Sequence, residues 1–150
     1  MKPVFFYSGS PKQTMAFAKK FARSLRAGDV LALTGNLGSG KTTFVKGLAL
    51  GLGIDDADKV KSPTFVLMHI YPTRRIPLYH FDLYRIEGRK DLESLGLEDY
   101  ISNARGIVCI EWAAKAASFF PPSVMGIHLE SAGKNKRKIT LYGSRSMAAA

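Results

Sequence analysis

Apolar positions along this chain recur at two spacings, and each change of spacing marks the passage from a strand to a helix or back. Val4 to Tyr7 is a short apolar run that predicts an opening strand. Ser10-Pro11-Lys12-Gln13 then has the form of a capping box with proline at the first helical position. A helix should follow, because Ala18, Phe21, Ala22 and Leu25 stand at i, i+3, i+4 and i+7, with Gly28 as its stop. Val30-Leu31-Ala32-Leu33-Thr34 has no polar alternation, the pattern of a strand covered on both faces in a parallel sheet. From Thr43 to Leu50 the helical period returns. Phe44, Leu48 and Gly51 share a face there with Val45 and Ala49 beside them, and Gly51 and Gly53 are expected to end the helix.

Further along, Phe65 to Tyr71 and Leu78 to Leu83 read as strands joined by Pro72-Thr73-Arg74-Arg75, a connection short enough for an antiparallel hairpin. Asp91 to Ile101 is a helical patch interrupted by Gly96, Gly106 to Ile110 a further buried strand, and Val124 to Leu129 with Lys138 to Tyr142 a closing pair. The alternation predicts an α/β fold with a mixed, largely parallel central sheet between helical layers. At 150 residues the chain is expected to form one domain, residues 1–150, with 143–150 as a flexible tail.

Between the second predicted strand and its helix lies Gly35-Asn36-Leu37-Gly38-Ser39-Gly40-Lys41-Thr42, with the spacing of a phosphate-binding loop. The glycines let successive main-chain N–H groups converge on phosphates at the positive end of the following helix. Lys41 adds an ammonium for the β/γ-oxygens and Thr42 a hydroxyl for Mg²⁺. The flanking strand and helix are those such a loop requires, so the expected architecture is a three-layer sandwich like that of P-loop NTPases. Candidate nucleotide contacts are Gly35 to Thr43, that is Gly35, Asn36, Leu37, Gly38, Ser39, Gly40, Lys41, Thr42 and Thr43, together with Thr14 on the first helix.

A nucleotide site also needs acidic groups for Mg²⁺, usually at the end of a buried strand beside the loop. Ile107-Val108-Cys109-Ile110-Glu111 is apolar until its last residue, and a carboxylate buried there needs a metal or a donor to offset desolvation. Glu111 is therefore the favoured metal-side carboxylate. Asp82, ending Leu78-Tyr79-His80-Phe81-Asp82, has three open readings: it holds a metal-bound water, orients the attacking water, or pairs with Arg85. Ser62 and Thr64 lie before a strand, where nucleotide switches place a γ-phosphate sensor and where a plain turn is the rival. Trp112 should face away from Glu111 by strand alternation. His69, His80 and His128 show no metal-like spacing and are assigned structural roles, although His80 and Asp82 share a strand face.

The base is inferred by exclusion. Asn135-Lys136-Arg137-Lys138 puts Lys where a guanine-reading element needs Asp, and Asp82-Leu83-Tyr84-Arg85 lacks the Asp-x-x-Gly pattern of a GTPase switch. ATP is the better fit. With 22 Lys and Arg against 12 Asp and Glu, the net charge of +10 favours nucleic acid or an acidic protein surface. Lys59 with Lys61, Arg74 with Arg75, Arg89 with Lys90, and the run Lys134, Lys136, Arg137, Lys138 carry much of it, without interleaved aromatics. They read as a solvated basic surface, partly serving the nucleotide's own charge, at least as readily as an RNA contact. The lone Cys109 sits in an apolar run, and no segment predicts a membrane span or a secretory leader, which points to the cytoplasm.

Five stretches together resemble the TsaE (YjeE) family in order and spacing: the loop from Gly35 to Thr43, Val60-Lys61-Ser62-Pro63-Thr64, Tyr79-His80-Phe81-Asp82-Leu83-Tyr84-Arg85, Leu95-Gly96-Leu97-Glu98-Asp99-Tyr100, and Ile110-Glu111-Trp112. The resemblance runs from about Ser10 to Leu129. It implies an ATPase of bacterial tRNA modification that assists TsaD and TsaB in making N6-threonylcarbamoyladenosine, the transfer chemistry belonging to TsaD. It also implies Lys41 on the phosphates, Thr42 and Glu111 around Mg²⁺, Asp82 near the hydrolytic site, and Thr64 and Trp112 on switch-like segments. The chain departs from the pattern in having Asn36 where Asp is common, and Ala113-Ala114 where a Pro or acidic residue often follows Glu-Trp. Two rivals stay open, a small-molecule kinase and an ATP-dependent docking switch with incidental hydrolysis.

Overall fold

Ser10 caps the first helix where the sequence placed it, while the Gln13 side chain reaches one residue further back and accepts from the Gly9 amide at 2.7 Å. In the computed structural model, which describes residues 3–63, 66–103 and 105–143, Ser10 Oγ accepts from the Gln13 amide at 3.1 Å and opens helix α1, Pro11–Phe21. A further short turn, Ala22–Ser24, carries the apolar stripe on to Leu25. Strand β1 is Val4–Ser8 and β2 is Val30–Thr34. Helix α2 runs Lys41–Leu52 and is closed by Gly53, whose φ of 104° lets its N–H turn back to the Ala49 and Leu50 carbonyls.

Gly51 was expected to help end α2 and does not. It lies inside the helix, as Gly47 does, and both face α1. A Cβ at Gly47 would strike the Met15 carbonyl and the Ala18 side chain, and one at Gly51 would strike the Lys19 carbonyl and Ala22. The two glycines let the backbones of α1 and α2 meet. Helix-ending and helix-packing glycines share the same sequence signal, and only the partner helix tells them apart.

Downstream lie β3, Met68–Tyr71, and β4, Leu78–Asp82, paired antiparallel as expected. The first of them starts later than Phe65. Phe65 is outside the described residues, and at Leu67 the chain turns with φ of 71° before the ladder begins. Helices α3, Arg89–Leu95, and α4, Leu97–Asn103, are separated by Gly96. Strand β5 is Ile107–Glu111, and the closing pair is β6, Met125–Gly133, with β7, Lys136–Tyr142. That pair is longer than predicted because it runs past the core as an exposed hairpin, with Asn135 at φ of 59° in its turn.

The strands form one seven-stranded sheet in the order β1-β7-β6-β2-β5-β4-β3. Neighbours β6, β2, β5 and β4 run parallel, whereas β7, β1 and β3 join antiparallel at the margins. Side chains alternate between two cores. Leu31, Leu33, Cys109, Ile127 and Ile139 pack beneath α1 and α2, whereas Val30, Ala32, Val108, Ile110 and Phe81 pack with Leu92, Leu97 and Ile101 on the other side. This is the three-layer α/β sandwich expected from the sequence. Burial pushes the Cys109 thiol well above its ordinary value, with the Glu111 carboxylate adding to the effect, in keeping with a packing role. No described helix is long and apolar enough to cross a membrane.

Candidate functional site

The parallel register sets the acidic residues of the site side by side. Asp82 pairs with Glu111 across β4 and β5, and both project to the sheet face that α2 covers, at the carboxyl ends of their strands. The turn from β2 into α2 delivers the phosphate loop to the same edge. Gly35, with φ of 144°, has no room for a side chain, since a Cβ there would meet the Leu129 carbonyl and Ser39 Oγ. A cleft of about 510 Å³ opens between these parts, lined by Leu37 to Thr43 together with Ser62, Asp82, Tyr84, Glu111, Trp112 and Arg137. Its volume falls in the range of small-ligand sites.

Lys41 is 5% exposed, and its ammonium donates to the Gly35 carbonyl at 2.6 Å, the Asn36 carbonyl at 3.0 Å and Ser39 Oγ at 3.4 Å. Burial holds that ammonium below the usual lysine range, and Glu111 and Asp82 act against the shift. The Thr42 hydroxyl lies 3.3 Å from each Glu111 oxygen. Asp82, 2% exposed, accepts from Ser62 Oγ at 2.5 Å and from the Tyr84 amide at 2.9 Å. Of the sequence candidates, Leu37 to Thr43, Ser62, Asp82, Glu111 and Trp112 thus meet at one cleft, with Gly35 and Asn36 contributing carbonyls to Lys41. Thr14 does not line it. Its buried hydroxyl donates to Ser8 Oγ at 2.7 Å and ties α1 to β1. Thr64 lies outside the described residues.

Trp112 packs against the core on the face opposite to that of Glu111, as alternation expects, and yet reaches the cleft. The strand ends at Glu111, and Trp112 adopts φ of 57°, a left-handed conformation at the rim of the sheet. Its ring comes beneath Lys41, with the ammonium 4.3 Å from the ring centroid, a cation–π distance.

Sequence reasoning passed over two residues. His80, fully buried, does have a structural partner, but it is Glu111: Nε2 stands 2.5 Å from Glu111 Oε2, and Nδ1 is 3.5 Å from the Tyr71 hydroxyl, which itself donates to the Lys61 carbonyl. Which strand neighbours β4 decided this, and no local pattern reports it. Replacing His80 with Leu would leave the buried Glu111 carboxylate short of a donor, so His80→Leu is expected to cost about 2 kcal/mol of stability. A urea midpoint equal to that of the wild type would count against this contact.

Arg137 is the second. Expected within a basic cluster, it instead donates from Nε to the Ser39 carbonyl and from Nη2 to the Gly38 carbonyl, both at 2.9 Å. Other basic residues are likewise drawn into local contacts. Arg75 donates to the Ala22 and Leu25 carbonyls, Lys59 pairs with Asp55, and Arg89 pairs with Glu93.

The family model described as "Threonylcarbamoyl adenosine biosynthesis protein TsaE" matches residues 8–139, a span that takes in the loop, both carboxylates and Arg137. The chain belongs to the TsaE family. Among TsaE relatives, the tRNA threonylcarbamoyladenosine biosynthesis protein TsaE of Bacillus subtilis is 41% identical over 140 residues, covering 93% of this chain and 85% of its own. The TsaE of Treponema pallidum is 38% identical over 134 residues, covering 89% and 96%. The crystal structure of Bacillus subtilis YdiB superposes with a TM-score of 0.76 at 34% identity, across 95% of this chain and 86% of that one. The TsaE assignment connects the chain with the biosynthesis of threonylcarbamoyladenosine in tRNA, and the likeness to YdiB agrees with the three-layer fold built above.

Proposed function

We propose that the protein is an ATPase that hydrolyses ATP to ADP and phosphate with Mg²⁺ and acts with the TsaD–TsaB pair in tRNA N6-threonylcarbamoyladenosine formation. The observation that carries this reading is the meeting of Lys41, Thr42, Asp82 and Glu111 at one cleft beneath a phosphate loop. No cluster of three His, Cys, Asp or Glu that could hold a metal occurs among the described residues. That suits magnesium, which is usually held by one or two carboxylates with waters and substrate phosphates rather than by an all-protein cage. Thr42 with Glu111, and Asp82 on the adjacent strand, fit that donor set. When bound, the ion neutralises charge on the β- and γ-phosphates.

The chain's own groups supply the remainder. Main-chain amides of the loop and the start of α2 hold the phosphates, and Lys41 exchanges loop carbonyls for phosphate oxygens. Its partial desolvation strengthens its field on charge that grows as the terminal bond opens. Water oxygen bonds to the γ-phosphorus as the bond to the bridging oxygen breaks, ADP leaves with the electron pair, and the water proton passes to phosphate or solvent. Asp82, within hydrogen-bond reach of Ser62 and at the cleft wall, is suited to orient that water.

Phosphate release from ATP and Mg²⁺, measured with and without added TsaD–TsaB, tests the reading. Slow hydrolysis by the protein alone, changed in rate by the pair, is expected. An unchanged rate would remove partner control, and no release in either condition would remove the ATPase assignment.

A further inference from the structure

We infer that Arg137 is a positioning residue for the phosphate loop, holding two of its successive peptide groups so that the curl of the loop is fixed and the Gly40 N–H is presented to the nucleotide. This rests on the nucleotide-binding reading above and adds a residue to it.

In a trans peptide the C=O and N–H bonds point in opposite directions. Arg137 receives the Gly38 carbonyl on Nη2 and the Ser39 carbonyl on Nε, each at 2.9 Å. The N–H groups of Ser39 and Gly40 are the other ends of those two peptides and are thereby turned away from the guanidinium: that of Ser39 donates within the loop to the Asn36 carbonyl at 3.0 Å, the same carbonyl that Lys41 holds, which leaves that of Gly40 for the nucleotide. The third guanidinium nitrogen, Nη1, donates to the Lys136 carbonyl at 2.8 Å, so all three are engaged and the plane of the fork is set.

The anchor beneath this fork is a strand paired on both sides. Arg137 sits in β7, paired with Ser8 of β1 and Ser131 of β6, and shares the sheet face of Ile139 and Leu141, which α1 and α2 cover. Glycines make the loop able to curl, but the same freedom lets each peptide flip, at an entropic cost when phosphate binds. A guanidinium bridging two successive carbonyls removes that freedom beforehand. A lysine at the position would keep the charge and lose the planar pair of donors.

The loop amides cradle the α- and β-phosphates, so the effect should be common to ADP and ATP. Calorimetric titration of the full chain with ADP and with ATP, in EDTA to take the metal out of the comparison, reads it directly. Arg137→Ala is expected to weaken both nucleotides by about tenfold or more, and Arg137→Lys by a smaller factor, as fits loss of one or two charge-assisted bonds. Lys138→Ala takes the same charge from the opposite face of the sheet and should leave both affinities within about twofold, which separates orientation from simple attraction. Unfolding of Arg137→Ala, seen by circular dichroism, would pass the test to Arg137→Lys. Affinities in the folded variants equal to those of the wild type would overturn the inference, as would a loss confined to ATP, the mark of direct contact with the γ-phosphate. Absence of any binding by the wild type would instead overturn the nucleotide reading itself.

Discussion

Lys41→Ala is expected to abolish measurable ATP hydrolysis, with kcat/KM down by about a thousandfold or more, the scale of losing one preorganised charge at a reacting centre. Several observations combine to make the effect large. The side chain is 5% exposed, and burial already lowers its proton affinity, a sign that its field is screened less than that of a surface lysine. It is also held at the loop by the Gly35 and Asn36 carbonyls and over the Trp112 ring, within the electrostatic reach of Glu111 and Asp82. Removing it leaves two buried carboxylates facing a polyanion with less positive charge between them. Glu111→Ala should abolish turnover as well, through the hydroxyl of Thr42 that it accepts from. Phosphate release under saturating ATP, on variants whose circular dichroism matches the wild type, measures both. Retained turnover in either would move that residue off the site.

Gly47→Val should destabilise the fold by about 3 kcal/mol, lowering the melting temperature by roughly 10 °C. Two effects oppose one another here. Replacing a mid-helix glycine stabilises a helix by at most about 1 kcal/mol. Against that, the new Cβ would overlap the Met15 carbonyl and the Ala18 side chain, and the first of these is backbone, which cannot swing away. The overlap wins. Helix α1 would have to lift from α2, opening the part of the core that holds Phe21, Phe44 and Leu48. Thermal unfolding followed at 222 nm decides it, and a melting temperature at or above that of the wild type would mean that the two helices tolerate separation.

Comparing the expected elements with the observed ones shows where local pattern suffices. The cap at Ser10, the apolar runs of β2 and β5 and the Gly96 break between α3 and α4 all depend on residues within a few positions of one another. Where a second segment decides the outcome, the prediction failed or stayed open. Gly51 read as a stop because its signal is the absence of a side chain, which a helix end and a close helix contact both use. Trp112 takes the side that alternation gives, but its contact with Lys41 depends on how the phosphate loop meets the end of the strand, which no local pattern reports. Arg137 read as one basic residue among several. Its carbonyl partners are almost a hundred positions away, too far for any local signal to connect them.

By itself the order of residues determined the phosphate loop, its flanking strand and helix, and the buried acids at strand ends, since each is a short-range consequence of backbone freedom, periodicity or the cost of burying charge. Tertiary structure alone decided that β4 lies beside β5, so that His80 reaches Glu111 and Asp82 stands next to it, and that β7 carries Arg137 to the carbonyls of the loop. Strand order follows from the balance of whole-core packing and chain connection. No single stretch of residues contains that balance, which is why the chemistry was legible one group at a time and its assembly was not.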